Sequence, residues 1–405
     1  MQHFSYLTKD EKEEMFYHSP IEFSKHSPLE ILAYSLGATL YMPGNRRQIS
    51  DDLLSGKFIK GKHEGLTSIV LCLEDSIGDD ELENAEWNIV HQLQRVHKAI
   101  NAGVSMEQDL PMVFIRVRTP RQMFLIVERL GEAVELICGF VFPKFSPENG
   151  ELYLTTLRDL NEREGVCLYG MPILESASVI YREQRDITLM NLKALLDKYH
   201  DLILNIRIGG TDFSGLFGLR RNRDTTIYDI LVIRDCISDI INLFGRSESD
   251  YVISGPVWEY FNGSQRILKP QIRQTPFEQA FGRTGTKLRS QIINRDEDGL
   301  IREVLLDKSN GLVGKTIIHP SHIKIVQALN VITLEEHMDA CSIMEHEVFT
   351  NGVIKSQFSN KMNEIKPHLN WARKILLKSK IYGVLKDGQS FIDLLGDKKE
   401  QDLFY

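Results

Sequence analysis

Two carboxylates follow two consecutive apolar segments in the middle of the chain. Glu175 ends the segment CLYGMPILE (167–175), and Asp212 ends the segment LNIRIGGTD (204–212). If these segments are neighbouring parallel strands, about 4.8 Å apart, the two side chains converge at one edge of the sheet. Such carboxylates repel each other unless one is protonated or a cation lies between them. The pair predicts a Mg²⁺ site, because Mg²⁺ prefers oxygen ligands and commonly uses only one or two protein carboxylates.

Further charged residues end or follow other apolar segments. They are Arg46 in PGNRR, Glu74 and Asp75 in LED, Arg116 in RVR and Lys144 in FPK. We expect the cations to hold the anionic end of a substrate, because guanidinium groups bind carboxylates through paired hydrogen bonds. A bound Mg²⁺ ion would polarise the substrate carbonyl and stabilise an enolate. The set therefore predicts an enzyme that makes or breaks a carbon–carbon bond beside a carbonyl.

Each of these residues also has a structural interpretation, which the sequence leaves open. Asp212 precedes FSGLFGL, so an alternative role is to cap the helix that this segment would form. Arg116 lies inside an apolar segment and needs a partner there, for which Glu74 is a candidate. Lys144 has the alternative of an ordinary surface position. The functional interpretation depends on all of these residues meeting at one place.

Eight short apolar segments, separated by longer amphipathic ones, provide the elements that would bring the residues together. They are residues 38–43, 68–75, 112–118, 139–145, 167–175, 204–212, 251–257 and 315–320. Several are apolar throughout, which is typical of parallel strands covered on both faces. Eight such strands with intervening helices favour a TIM (β/α)8 barrel, in which functional groups lie at the C-terminal ends of the strands. A doubly wound sheet is the alternative, and the polar segment 263–310 resembles a loop with broken helices.

Length and composition set the remaining expectations. Within the 405 residues, we expect an N-terminal extension at 1–30, the barrel at 31–345, and a helical C-terminal extension at 346–405, packed on the barrel or on a neighbouring subunit. The net charge of −8 disfavours nucleic-acid binding, which needs a basic surface. Five scattered cysteines, a polar N-terminus and the lack of a long apolar run favour a cytoplasmic protein with reduced thiols and no membrane association.

Seven motifs occur in an order that resembles the HpcH/HpaI aldolase and citrate lyase beta-subunit family. They are PGNR, LEDSI, RVR, PK, ESAS, GGTDFSGLFGLRR and GKTIIHPSHI, from about residue 39 to about residue 330. The resemblance implies a TIM barrel, Mg²⁺ dependence, and lyase or aldolase chemistry on acyl-CoA thioesters or 2-oxo acids. It also implies a homo-oligomer, which is usual in that family.

The resemblance carries the family's site residues onto positions of this chain. They are Glu175 and Asp212 for the metal, Arg46 and Arg116 for the substrate, Glu74 and Asp75 for an acidic strand end, and Lys144 for the lysine of the PK motif. The chain departs from the family at Arg118, where an asparagine is usual, and at GGTD, which lacks an additional acid. It is most similar to a divergent branch of carbon–carbon lyases from tellurium-resistance (Ter) stress clusters, which implies a stress-linked biosynthetic pathway.

We therefore predict a Mg²⁺-dependent carbon–carbon lyase or aldolase that acts through an enolate on a small anionic substrate. The proton carrier is not identified by the sequence, and Asp75 and His319 are both candidates. One alternative is a phosphoenolpyruvate- or pyruvate-type transfer on the same barrel. Another is a non-catalytic subunit of a stress-response complex, which the converging carboxylates disfavour because a scaffold has no need of them.

Overall fold

The computed structural model describes most of the chain, and its helices and strands alternate. The described residues are 1–59, 61, 63–104, 110–261, 274–292, 295–347 and 352–395. The strands are β1 (Phe16–His18), β2 (Ala38–Pro43), β3 (Ser68–Cys72), β4 (Met112–Arg116), β5 (Ile137–Phe142), β6 (Tyr169–Leu174), β7 (Ile206–Ile208), β8 (Ile253–Ser254), β9 (Lys315–Ile317), β10 (Val353–Lys355), β11 (Met362–Glu364) and β12 (Val384–Leu385). The helices are α1 (Lys9–Met15), α2 (Leu29–Ser35), α3 (Ile49–Leu54), α4 (Leu82–Asn101), α5 (Pro120–Leu130), α6 (Pro147–Glu164), α7 (Ala177–Ile180), α8 (Arg182–Lys198), α9 (Gly210–Leu216), α10 (Leu231–Phe244), α11 (Pro276–Ile292), α12 (Arg295–Ser309), α13 (His322–Asn330), α14 (Leu334–Glu345) and α15 (Ile365–Tyr382).

Strands β2 to β9 form one sheet of eight parallel strands. They are hydrogen-bonded in the order β8-β7-β6-β5-β4-β3-β2-β9, and a parallel bridge between Gly255 and Lys315 joins the two ends of the sheet. Each of the eight apolar segments singled out in the sequence overlaps one of these strands. The predicted (β/α)8 barrel is therefore confirmed, and the open-sheet alternative is excluded because the sheet closes on itself.

Some strands are shorter than the segments predicted for them. Strand β7 ends at Ile208 and not at Asp212, because helix α9 begins at Gly210, directly after the strand. The last residues of the segment therefore leave the sheet and contribute to the rim of the barrel. In the segment 263–310, Pro276–Ile292 form α11, with a non-helical break at Gly282, and Arg295–Ser309 form α12, while residues 293–294 lie outside the described residues. Residues 263–273 of that segment lie outside the described residues.

Both faces of the barrel strands are packed, which explains why the segments are apolar throughout. On β4, Val113 and Ile115 pack in the cluster that joins the sheet to the surrounding helices. Met112 and Phe114 point the other way and pack inside the barrel. The charged exception on this strand is Arg116, its last residue, which is also buried. Its position at the C-terminal end of the strand is where the fold places functional groups.

The two ends of the chain meet at the opposite end of the barrel. Strand β1 pairs antiparallel with β12, and α15 packs against α14 and α2. Phe23 and Tyr382 belong to the same cluster as Met112 and Val313, which lie at the starts of β4 and β9. The N-terminal mouth of the barrel is thus covered by segments near both ends of the chain, which include β1, α2, α15 and β12. No helix among the described residues is long and apolar enough to cross a membrane, and all five cysteines are free thiols.

His3 is enclosed in this covered end and should make the fold sensitive to acid. Its ring stacks on that of Tyr382, with 4.3 Å between the ring centroids, and none of its surface is exposed. Burial lowers the pKa of His3 from 6.5 to about 3, since a charged imidazolium is disfavoured away from water. Between pH 6.5 and pH 3, His3 is protonated in the unfolded chain but neutral in the folded chain. Its contribution to the free energy of unfolding is therefore highest above pH 6.5 and falls toward pH 3.

We expect this one histidine to lower the free energy of unfolding by about 2 kcal/mol at pH 5 relative to pH 8. The variant His3→Phe suits the aromatic surroundings and should remove that part of the pH dependence, as measured by urea unfolding at both pH values. His26→Phe, at an exposed position, is the matched control and should behave like the wild type. An unchanged pH dependence in His3→Phe would contradict this explanation.

Candidate active site

A cavity of about 960 Å³ opens at the C-terminal ends of the barrel strands. Each of the eight barrel strands, or the loop that follows it, contributes to the wall. The volume lies within the range of small-molecule sites, which is about 300–1,000 Å³. Of the site residues predicted from the sequence, the wall includes Asp75, Arg116, Lys144, Glu175 and Asp212. The structure therefore brings five of the seven predicted residues together at one cavity.

Arg116 forms ion pairs with the carboxylates of Glu74, Asp75 and Glu175, and together with Lys144 and Asp212 these residues make up a charged cluster. Its Nη2 lies 2.8 Å from Glu74 Oε2 and 3.2 Å from Glu175 Oε1, and its Nη1 lies 2.8 Å from Asp75 Oδ2. Burial alone would lower the pKa of Arg116, but the charge of Glu175 and the other neighbouring groups raises it overall. The sequence left open an ion pair between Arg116 and Glu74. That ion pair is present, and Arg116 also pairs with Asp75 and Glu175.

Glu175 is held firmly through one of its two oxygens. Its Oε1 accepts a hydrogen bond from the backbone N–H of Lys144, 2.8 Å away, as well as contacting Arg116. Lys144 has a left-handed backbone (φ 48°), which is uncommon for a residue with a side chain. Oε2 accepts no hydrogen bond from any residue that the structure describes. Burial, opposed by Arg116 and reinforced by Asp212, raises the pKa of Glu175 to about 8.

Asp212 lies in the first turn of α9 and faces the same cavity. The N-cap residue of α9 is Gly209, and no side chain caps this helix, so the capping role left open by the sequence is excluded. Asp212 is close enough to Glu175 to raise its pKa electrostatically. Gly209 gives Glu175 the space to lie against the end of β7, because a Cβ on Gly209 would be 2.4 Å from Glu175 Oε2.

Lys144 and Asp75 complete the charged side of the cavity. Lys144 Nζ lies 2.7 Å from Glu74 Oε1 and 4.0 Å from Asp75 Oδ1. The hydrogen bond with Glu74 raises the pKa of Lys144, so this side chain remains a cation. Burial raises the pKa of Asp75, but its hydrogen bond with Glu74 and the charges of Arg116 and Lys144 outweigh that effect and lower the pKa overall. Asp75 is therefore an ionised carboxylate with half of its side chain exposed to the cavity.

Three residues predicted from the sequence are not part of the cavity wall. They are Glu74, which contacts Arg116 and Lys144, and Arg46 and His319. Arg46 follows β2, but its guanidinium pairs with Asp52 of α3, because the chain turns directly into that helix. His319 stacks on Phe261, with 4.5 Å between ring centroids, and its Nδ1 lies 2.9 Å from Ser321 Oγ. Neither Arg46 nor His319 is among the residues that line the cavity.

Several polar residues at or beside the cavity were not predicted from the sequence, and three of them are Tyr41, Thr316 and Arg207. Tyr41 and Thr316 line the wall, and Arg207 contacts both of them. A signal was available for Arg207, which stands alone in the apolar run LNIRI, as Arg116 does in its own segment. For Tyr41 and Thr316 there was none, since both residue types are common in ordinary strands.

The charges of the cluster leave room for a divalent cation. The cluster has four carboxylates, those of Glu74, Asp75, Glu175 and Asp212. Among the described residues, the cations that pair with members of this set are Arg116 and Lys144. With every carboxylate ionised, two negative charges remain uncompensated beside Glu175 and Asp212. The described residues contain no group of three or more potential metal ligands, and the two carboxylates here match the number that Mg²⁺ commonly uses. Glu175 Oε2, which accepts no hydrogen bond from the described residues, fits a ligand of such an ion.

Comparison with known proteins gives relatives of the same fold. The sequence profile of a family described as C-C bond lyase of the TIM-barrel fold matches residues 30–384. One similar structure is CitE from Mycobacterium tuberculosis in complex with magnesium, acetoacetate and coenzyme A, with 14% identity, a TM-score of 0.51, and coverage of 86% of this chain and 99% of that chain. Another is a malate synthase from Haloferax volcanii at 3 mM glyoxylate, with 13% identity, a TM-score of 0.50, and coverage of 76% and 84%. No curated protein matches in sequence.

Gly209 should be required for the position of Glu175. In Gly209→Ala, the new methyl group would collide with Glu175 Cβ (2.3 Å) and Oε2 (2.4 Å). Overpacking of this kind should lower the free energy of unfolding by about 1–3 kcal/mol and turn Glu175 out of place. Gly215→Ala, in the same helix but facing open space, is the matched control and should be neutral or slightly stabilising. Equal stability of the two variants in urea unfolding would contradict the requirement for glycine at position 209.

Proposed function

Because the chain belongs to the family of C-C bond lyases with the TIM-barrel fold, we propose that it cleaves or forms a carbon–carbon bond beside a carbonyl, with Mg²⁺ as its cofactor. The substrate in this proposal is a small anionic 2-oxo acid or an acyl-CoA thioester. The observation that carries it is the buried Glu175, whose Oε2 has no donor among the described residues and which lies beside a second carboxylate, Asp212. Support comes from CitE, which holds magnesium, acetoacetate and coenzyme A.

Glu175 and Asp212 would hold the Mg²⁺ ion, which acts as a Lewis acid toward a carbonyl oxygen when bound. The protein's part is to orient the two carboxylates and to hold them so close that a cation beside them would favour their ionised forms. Arg116 and the backbone N–H of Lys144 hold Glu175 Oε1, which leaves Oε2 for the ion. Arg116 also lines the cavity, so it presents positive charge to the anionic end of a substrate while it orients Glu175.

Asp75 is the proposed proton carrier. Its carboxylate lines the cavity, and its lowered pKa keeps it ionised and ready to accept a proton. Arg116 fixes one of its oxygens at 2.8 Å, which orients the other oxygen. The other candidate named from the sequence, His319, is disfavoured because it stacks on Phe261 and does not line the wall.

The finer features of the proposal come from the resemblance of the sequence motifs. They are the assignment to the Ter stress-cluster branch, a role in a stress-linked biosynthetic pathway and a homo-oligomeric state. A cytoplasmic location is proposed separately, from the five scattered cysteines. Arg46 retains a substrate-binding role in the proposal only if its pair with Asp52 opens when a substrate binds.

Removing either metal-binding carboxylate should abolish Mg²⁺-dependent turnover. We expect Glu175→Gln and Asp212→Asn to lower kcat/KM by more than about 100-fold, a larger loss than that caused by removing an outer-sphere partner of a metal. Both variants should remain folded by circular dichroism, because they keep the size of the side chain. The assay incubates each protein with 2-oxo acids and acyl-CoA thioesters, with Mg²⁺ or with EDTA, and identifies products by mass spectrometry. Asp186→Asn, on the exposed face of α8, is the control, and turnover that resists EDTA and both site variants would contradict the proposal.

Replacing Asp75 should separate proton transfer from metal binding. The variant Asp75→Asn keeps Glu175 and Asp212, so calorimetric titration should give wild-type affinity for Mg²⁺. Turnover should fall by about 100-fold or more, which is the usual contribution of a positioned acid or base. Wild-type turnover in this variant would exclude Asp75 as the proton carrier.

A further inference from the structure

Arg207 is a buried cation inside the barrel that has no carboxylate partner among the described residues. It lies in the middle of β7 with only 1% of its surface exposed. Its Nη2 donates to Thr316 Oγ1 at 2.8 Å, and its Nη1 lies 3.8 Å from Met171 Sδ. Its Nε has no hydrogen-bond partner. No carboxylate among the described residues forms an ion pair with it.

This arrangement is unfavourable for the protein alone. A guanidinium stays protonated in proteins, and burying an uncompensated charge costs several kcal/mol. The cation Lys315 is also buried inside the fold, and it does have partners. Lys315, next to Thr316 in β9, is paired with Glu303 and Asp307 of α12. The absence of such a partner at Arg207, within the described residues, indicates that its counter-ion is supplied by something that enters the cavity.

Both groups that Arg207 contacts face the cavity. Its guanidinium carbon lies 5.6 Å from the centroid of the Tyr41 ring, and Tyr41 and Thr316 both belong to the cavity wall. Because Thr316 Oγ1 accepts a hydrogen bond from Arg207, its own hydroxyl hydrogen is free to be donated elsewhere. The Tyr41 hydroxyl makes no hydrogen bond with the residues that the structure describes. Two hydroxyl donors therefore line the wall in front of a buried positive charge.

We propose that Tyr41 and Thr316, with Arg207 behind them, form a second subsite that binds a carboxylate of the substrate. These residues come from β2, β9 and β7, whereas the Glu175–Asp212 pair comes from the ends of β6 and β7. The inference rests on the proposed function for the reacting end of the substrate, and it deepens that proposal. It assigns the enzyme a 2-oxo acid with a second carboxylate at its remote end, which this subsite neutralises.

The proposal assigns different roles to the three residues. Tyr41 and Thr316 touch the carboxylate through their hydroxyl groups. Arg207 is a positioning residue, which fixes the Thr316 hydroxyl and supplies positive charge to the subsite. A purely structural Arg207 would instead stabilise the barrel and have no effect on the choice between substrates. The two roles are separable, because replacing a buried charge that lacks a partner by an apolar side chain is often neutral or stabilising.

The test compares binding of 2-oxoglutarate with that of 2-oxopentanoate, which has the same chain length but lacks the second carboxylate. Calorimetry on the full chain, with Mg²⁺ and with EDTA, should show that the wild type prefers the diacid by about tenfold or more, since hydrogen bonds to a charged group are strong. Thr316→Val and Arg207→Met should each reduce the preference to near unity. Thr39→Val removes a barrel hydroxyl that bonds Ser68 and does not line the cavity, so it should keep the preference.

The outcomes separate this inference from the proposed function. Equal affinity of the wild type for the two acids, or a preference that survives Thr316→Val, would overturn the subsite even if Mg²⁺ strengthens binding of both acids. A preference that persists in EDTA and is lost in Thr316→Val supports the subsite even if Mg²⁺ has no effect, in which case the metal proposal fails alone. Should Arg207→Met not fold, Thr316→Val carries the test, because it removes one hydroxyl at constant volume.

Discussion

Arg116 is bonded to Glu74, Asp75 and Glu175, and the geometry of the cavity depends on this cluster. A buried guanidinium or a buried carboxylate alone would be unfavourable, so each member is tolerated only because the others are present. The cluster also ties the ends of β3, β4 and β6 to one another. Its cations do not balance its carboxylates when all of them are ionised, which agrees with the raised pKa of Glu175. A divalent cation is the simplest group that completes the cluster.

The two ends of the barrel have different roles, since one is closed by packing and the other carries the candidate site. At the N-terminal end, segments near both ends of the chain, which include α2, pack on the interior cluster and close the mouth. At the C-terminal end, the loops carry features that stability alone would disfavour, among them the left-handed backbone of Lys144 and the raised pKa of Glu175. Strained or poorly compensated groups are typical of functional sites, where the surrounding structure holds them in place.

The barrel and most of the charged cluster were predictable from the sequence, for identifiable reasons. Apolar runs reveal the strands because both of their faces are buried, and charged residues at the ends of such runs have only the mouth of the barrel to occupy. The position of Arg46 was not predictable, because the path of the chain after β2 brings Asp52 within its reach. Nor was the role of Gly209, since close approach between a glycine and a side chain from the neighbouring strand leaves no mark in the sequence. Arg207 was detectable by the criterion applied to Arg116, but only the structure shows that it has no carboxylate partner.

The most direct test of the account is anomalous diffraction from crystals soaked in Mn²⁺, which has the same preference for carboxylate oxygens as Mg²⁺. The account predicts one strong peak at the cavity mouth, at about 2.0–2.2 Å from an oxygen of Glu175 and from an oxygen of Asp212. At saturating Mn²⁺, the absence of a peak between these two side chains would contradict it, whether or not Mn²⁺ binds elsewhere in the crystal.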